Sequence, residues 1–130
     1  MVNLRETEIR EESLALVVET YRVANLITDS AKQLLRTNLV DSAFLVSSSI
    51  AKAFNALQDD DFESDIAKAL AGIDIILEYL QEVESILDGT EVQPLRNILF
   101  SEQQELEQLQ AISQTNNSYT LSPKLEKACI

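Results

Sequence analysis

The sequence predicts an all-α protein: an antiparallel up-down-up-down four-helix bundle with a flexible C-terminal tail. Three observations carry this expectation. Apolar residues from Phe62 to Leu87 recur at steps of 4, 3, 4, 3, 4, 3 and 4, which is a heptad seam. The 130 residues include two Gly and two Pro, so turns are few and helices must be long. The breaks at 58–60 and 88–90 are too short for a crossover, so successive helices lie antiparallel. A helix this amphipathic needs other helices to cover its apolar stripe.

The first helix is expected over about 5–28. Ile9, Leu14, Val17, Val18, Tyr21, Ala24 and Ile27 supply its apolar positions. Glu6, Glu8, Glu11 and Glu12 crowd its first turns, where negative charge suits the helix dipole. Thr28-Asp29-Ser30 offers one stop, with a new cap before Ala31. Thr37-Asn38 offers another and is the preferred break, because both residues favour caps over helix interiors. The second helix then covers about 39–57, with a seam of Leu39, Ala43, Val46, Ile50, Ala53 and Leu57. Small residues, Ser42 and Ser47 to Ser49 among them, leave room for another helix to come close.

Asp60 or Asp61 is the expected N-cap of the third helix. Its main seam is Phe62, Ile66, Ala69, Ile73, Ile76, Leu80, Val83 and Leu87, and it ends at Asp88-Gly89 with Gly89 in the left-handed position after the helix. Glu63, Asp65, Lys68, Asp74, Glu78, Glu82 and Glu84 are expected mostly on the opposite side. Thr90 and Gln93 form a capping box for the fourth helix, with Pro94 in the first turn. Leu95, Leu99, Leu106, Leu109 and Ile112 continue it to about Ser113, and Glu102 interrupts that seam. No period survives beyond it. Residues 1–114 are thus one bundle domain and 115–130 a flexible tail.

Composition narrows the function. The net charge is −12, which repels nucleic-acid phosphates and anionic lipids. The N-terminal twelve residues are charged rather than apolar, so they do not resemble a signal peptide, and no apolar run approaches the roughly 20 residues of a membrane span. A single cysteine, Cys129, forms no intramolecular disulfide. The expected location is cytoplasmic.

The stretches that might carry chemistry fail on composition or spacing. A calcium-binding loop starting at Asp59 would need Gly at its sixth position and Glu at its twelfth; Ser64 and Leu70 stand there. With no His in the chain, paired Glu-x-x-His metal sites, histidine phosphotransfer and His-dependent nucleophiles are excluded. Ser49-Ile50-Ala51-Lys52 has the Ser-x-x-Lys spacing of a nucleophile and its base, but no companion motif, and small residues suited to helix packing account for it. No catalytic, cofactor-binding or metal-ligating residue is expected, and the chain is read as a non-enzyme that needs no cofactor.

The run Ser49-Ile50-Ala51-Lys52-Ala53-Phe54, then Asp61-Phe62, then Ala69-Leu70-Ala71-Gly72-Ile73 resembles a known four-helix-bundle family. That family includes proteins encoded in ribosomal-RNA intervening sequences and the accessory variability proteins of diversity-generating retroelements. Ile50, Ala51, Phe62, Ala69 and Leu70 match its pattern, and Tyr21 fits its helix 1 tyrosine. Ser49, Lys52 and Ala53 stand where the family has Asn, Glu and Gly, and the family's Pro-containing first connection is absent. The resemblance covers about residues 10–88. It implies a bundle that assembles into rings and, in the retroelement member, binding of nucleic acid and a reverse transcriptase through a basic surface. Here residues 60–88 hold nine acids against Lys68, a net of −8, which opposes direct nucleic-acid binding.

The expected function is therefore a non-enzymatic protein-interaction or scaffold module, an acidic bundle that self-associates or docks a protein partner. The alternative is an accessory protein of a nucleic-acid-processing system, reverse transcriptase or ribosomal-RNA related, that acts through a basic partner. Neither direct nucleic-acid binding nor membrane binding is expected. Leu16, Val23, Ile75, Tyr79 and Ile86 lie off the main apolar lines of their helices and form the candidate interface.

Overall fold

A computed structural model describes residues 4–55 and 61–119 of the chain. Four long helices account for almost all of them. They are α1 (Leu4–Leu26), α2 (Gln33–Asn55), α3 (Asp61–Val83) and α4 (Gly89–Tyr119), with a 3-10 turn at Ser30–Lys32 before α2. α1 packs on α2 and α4, and α3 packs on α2 and α4, so the helices close a ring around one core. Cross-helix contacts fix the directions. Arg10 near the start of α1 reaches Asn55 at the end of α2, and Arg22 near the end of α1 reaches the Glu91 carbonyl at the start of α4. Lys32 pairs with Glu82, and Arg96 pairs with Glu84 at 2.7 Å. Every neighbouring pair is antiparallel, as the short connections require.

Each helix gives the core one stripe at steps of 3 and 4. In α3 the stripe is Ile66, Ala69, Ile73, Ile76, Leu80 and Val83, all fully buried, with Phe62 and Leu87 packed against its ends. In α2 it is Leu35, Leu39, Ala43, Val46, Ile50 and Ala53; Leu57 lies outside the described residues. These two stripes match the sequence expectation. α1 differs. Its stripe is Ile9, Ser13, Leu16, Thr20, Val23 and Ile27, while Leu14, Val18 and Tyr21 face out. The two hydroxyls are tolerated because each bonds back to its own helix: Ser13 Oγ to the Arg10 carbonyl at 2.9 Å and Thr20 Oγ1 to the Leu16 carbonyl at 2.7 Å.

The boundaries correct several expectations. The break between α1 and α2 is at Asp29, not at Thr37-Asn38. The Asp29 carboxylate accepts from the Ala31 N–H at 2.9 Å, and Arg36 Nε donates to the Ala24 carbonyl at the end of α1. Thr37 and Asn38 continue inside α2, because Leu35 and Leu39 on either side are both buried and hold that turn in place. α3 stops at Val83 rather than at Asp88-Gly89. Ser85 Oγ and Ser85 N–H both donate to the Glu82 carbonyl, so Ile86 N–H turns to the Val83 carbonyl and the helix tightens into a turn. Gly89 opens α4 rather than closing α3, and its φ is not left-handed. Asp88 caps α4 in place of Thr90, its carboxylate accepting from the Thr90 N–H at 3.1 Å. Pro94 therefore falls in the second turn. Pro94 offers no N–H to the Thr90 carbonyl at i−4, and Thr90 is exposed, which keeps the cost low.

Asp65, expected on the solvent side of α3, is buried and lies 4.0 Å from Lys68 Nζ. α4 runs through 115–119, which were expected in the tail. Once a helix is nucleated, each further residue adds one hydrogen bond, and that outweighs the weak propensity of Asn and Thr there. Residues 120–130, with Cys129 and the rest of the expected tail, and Asp59 and Asp60 of the acid run, lie outside the described residues. No helix among the described residues is long and apolar enough to cross a membrane.

One contact sets the spacing of α2 and α3. A Cβ built on Gly72 would lie 2.7 Å from Val46 Cγ2, with Leu45 Cδ2 and the Ser42 carbonyl oxygen each at 3.7 Å. The small residue thus sits in α3, facing Ser42 and Val46 of α2.

Replacing Ile73 or Leu80 by Ala is expected to lower stability by roughly 2–5 kcal/mol. The measurement is a urea midpoint read at unchanged slope; an unmoved midpoint would show that α3 is not central. Gly72→Ala is expected to destabilise by about 1–3 kcal/mol through overpacking, despite the better helix propensity of Ala. Adding Val46→Ala should then cost less than it does alone, which a double-mutant cycle measures.

Candidate functional site

The polar feature that packing alone does not explain lies on the α1–α4 seam. Three carboxylates meet there: Glu12 from α1, and Glu102 and Glu105, one turn apart on α4. One carboxylate oxygen from each lies within 4.8 Å of the others. The sequence places them there through the seams. Glu102 takes the stripe position between Leu99 and Leu106, both fully buried, so its side chain enters the core. Glu105 follows at i+3 on the flank. Glu12 precedes the stripe residue Ser13 and faces α4 because α1 and α4 run antiparallel, with Arg22 level with Glu91.

Glu102 is fully buried, while Glu12 and Glu105 are half-buried. Glu12 Oε1, both oxygens of Glu102 and Glu105 Oε1 are buried and reached by no hydrogen-bond donor among the described residues. A hydrogen bond inside the cluster therefore needs a proton on one of the carboxyls. Burial pushes the Glu102 carboxyl up to about 9 from an ordinary 4.5, and the charge of Glu12 and a hydrogen bond to it push the same way. Glu105 is raised to about 7, again first by burial, then by Glu12 and Glu8, with Arg5 opposing. Carboxylates crowded together in this way favour holding a proton within the cluster.

The residues singled out from the sequence fall elsewhere. Leu16 and Val23 are fully buried in the core. Their placement at the surface is corrected: the α1 stripe includes Ser13 and Thr20, which turns the helix so that Leu14 and Val18 face out instead. Ile75 and Ile86 are exposed, at 37% and 38%, and Tyr79 is half-buried against the core. Ser49 is buried whereas Lys52 is exposed, so the two do not share an environment. Sequence reasoning missed the carboxylate cluster. The available signal was Glu102 itself, a charged residue at a seam position.

The cluster makes stability depend on pH with a definite sign. Between about 4.5 and about 9 the folded chain holds a proton on Glu102 that the unfolded chain has released, so folding stability falls as pH rises across that window. Glu105 adds to the fall in the lower part, up to about 7. Melting temperatures taken from pH 5 to pH 9 should decrease. In Glu102→Gln, which cannot ionise, the decrease above pH 7 should largely disappear; an equally steep decrease in the variant would contradict the assignment.

No family model matches the chain, no curated protein matches it, and no solved structure matches it.

Proposed function

We propose that this chain is a non-enzymatic interaction module that self-associates through the outer face of α1 and α2. The observation that carries the reading is a second apolar stripe on α1. Leu14 is 63% exposed and Val18 67% exposed, and Tyr21 continues the line at the same 4-then-3 spacing. Phe44 of α2, also about half exposed, meets Tyr21 edge-on with ring centroids 6.1 Å apart. Four large apolar side chains in one strip are more than the scattered exposure usual on a surface, and such strips mark interfaces.

A second copy is the occupant that fits. A two-fold axis passing near Val18 lays the strip on itself, with Leu14 of one chain against Tyr21 of the other, and closes the assembly as a dimer. Ser47 and Ser48 on the following turn of α2 add little bulk beside the strip. The net charge of −12 per chain opposes this pairing electrostatically. Added salt should therefore tighten it, because screening shortens to about 8 Å at physiological ionic strength. A basic partner docking on the same strip would show the opposite dependence.

Light scattering coupled to size exclusion tests the reading. The expected result is a dimer near twice 14.5 kDa at micromolar concentration that is more complete at higher salt. Leu14→Gln with Val18→Gln should return it to monomer without lowering the melting temperature appreciably, since both side chains are exposed. A 14.5 kDa monomer at all concentrations and salts would overturn self-association.

A further inference from the structure

We propose that the Glu12–Glu102–Glu105 cluster is a binding site for a hard divalent cation, calcium in preference to magnesium. The inference is independent of self-association, since the cluster lies on the α1–α4 seam and the apolar strip on α1 and α2. Two separate observations carry it. The first is geometric: three carboxylate oxygens from two helices lie within 4.8 Å of one another. Two ligands of one ion are separated by at most twice the metal–oxygen bond. Calcium bonds of 2.3–2.6 Å thus allow separations up to about 4.6–5.2 Å, whereas magnesium bonds allow only about 4.0–4.2 Å. Separations of at most 4.8 Å fall within the calcium range, and three protein carboxylates exceed the one or two that magnesium usually takes from a protein.

The second observation is Glu102. Its side chain is fully buried, faces the other two carboxylates, and has no donor at either oxygen. An ordinary core position would hold Leu, as at 99 and 106. A cation supplies the counter-charge that none of the described residues provides to Glu102. The donor set is carboxylate oxygen throughout, with neither thiolate nor imidazole, and this selects hard ions over zinc or copper. Glu12 and Glu105 are half-buried, which leaves one side open for entry and for the water ligands that complete a calcium shell. Of the other charged groups near Glu105, Glu8 adds negative charge and Arg5 opposes it.

A carboxyl must be ionised to ligate a cation, so any proton held by the cluster leaves to buffer as the ion enters.

The test is a titration of the chelator-treated full chain with calcium chloride and with magnesium chloride, followed by thermal melts and by calorimetry in two buffers of different ionisation enthalpy. The expected result is a rise of at least about 4 °C in melting temperature in millimolar calcium. The rise should be smaller in magnesium, and protons should be released on binding. Glu102→Gln should abolish both the rise and the proton release. Glu12→Gln and Glu105→Gln, at half-buried positions, should each reduce the response at least tenfold in midpoint concentration and decide the matter if the core variant does not fold. Glu107→Gln, exposed on α4, should change nothing, and sodium chloride at matched ionic strength should not reproduce the rise. No response to 10 mM calcium at pH 8.5, or a response undiminished in the Glu12 and Glu105 variants, would overturn the site. An equal or stronger response to magnesium would overturn the preference for calcium.

Discussion

The bundle depends on one constraint: each helix can turn only one stripe, about a third of its circumference, toward the shared core. Once four helices close a ring, the stripe chosen by one fixes what the others present. α3 has the most continuous stripe, with Ile66, Ala69, Ile73, Ile76, Leu80 and Val83 all fully buried. α2 is drawn close against it at Gly72, where only a hydrogen fits beside Val46. α1 and α4 then complete the ring with less apolar stripes. α1 contributes two hydroxyls and α4 contributes a carboxyl. The polar features of the molecule follow from this order of strength, since the dominant seam sets the geometry and the weaker helices accommodate it.

That hierarchy also explains what could be read from the sequence. α3 and the core of α2 were legible because their apolar periodicity is strong and admits one phase. α1 was not, because it carries two competing stripes. Leu14, Val18 and Tyr21 look like a core line on hydrophobicity alone. The line that is buried passes through Ser13 and Thr20, whose hydroxyls bond to the Arg10 and Leu16 carbonyls and so cost little inside. Leu16 and Val23 changed sides for that reason. Helix ends were misplaced where a side chain competed with the backbone: Asp29 capping Ala31, Asp88 capping Thr90, and Ser85 taking the Glu82 carbonyl. Such competition depends on local geometry that residue type alone does not specify.

The carboxylate cluster was half legible. Glu102 stands out as a charge in an apolar line, but its meaning depends on what faces it. Glu12 comes from a helix about ninety residues away in the chain, and it meets Glu102 only through the antiparallel register of α1 and α4. Exclusion of metal chemistry from the lack of histidine holds for His-containing sites. It does not reach a site built from carboxylates alone, because oxygen-only shells suit hard cations.

The two unexplained features, the outer strip and the inner cluster, share α1, and their energetics pull in different directions. Exposed Leu14 and Val18 give nothing to the isolated chain, so burying them in an assembly adds stability that the core does not supply. Glu102 does the reverse: it takes a position where Leu would stabilise, and it holds that position only with a proton or a cation beside it. In α1 the inner stripe is interrupted by Ser13 and Thr20, Glu12 on its flank faces the buried carboxyl of Glu102, and Leu14, Val18 and Tyr21 form a second apolar line that points outward. A chain under pressure only for maximal stability would place Leu14 inside and Glu102 outside. The reversed arrangement leaves apolar area in water and a carboxyl in the core, and both cost stability in the isolated chain.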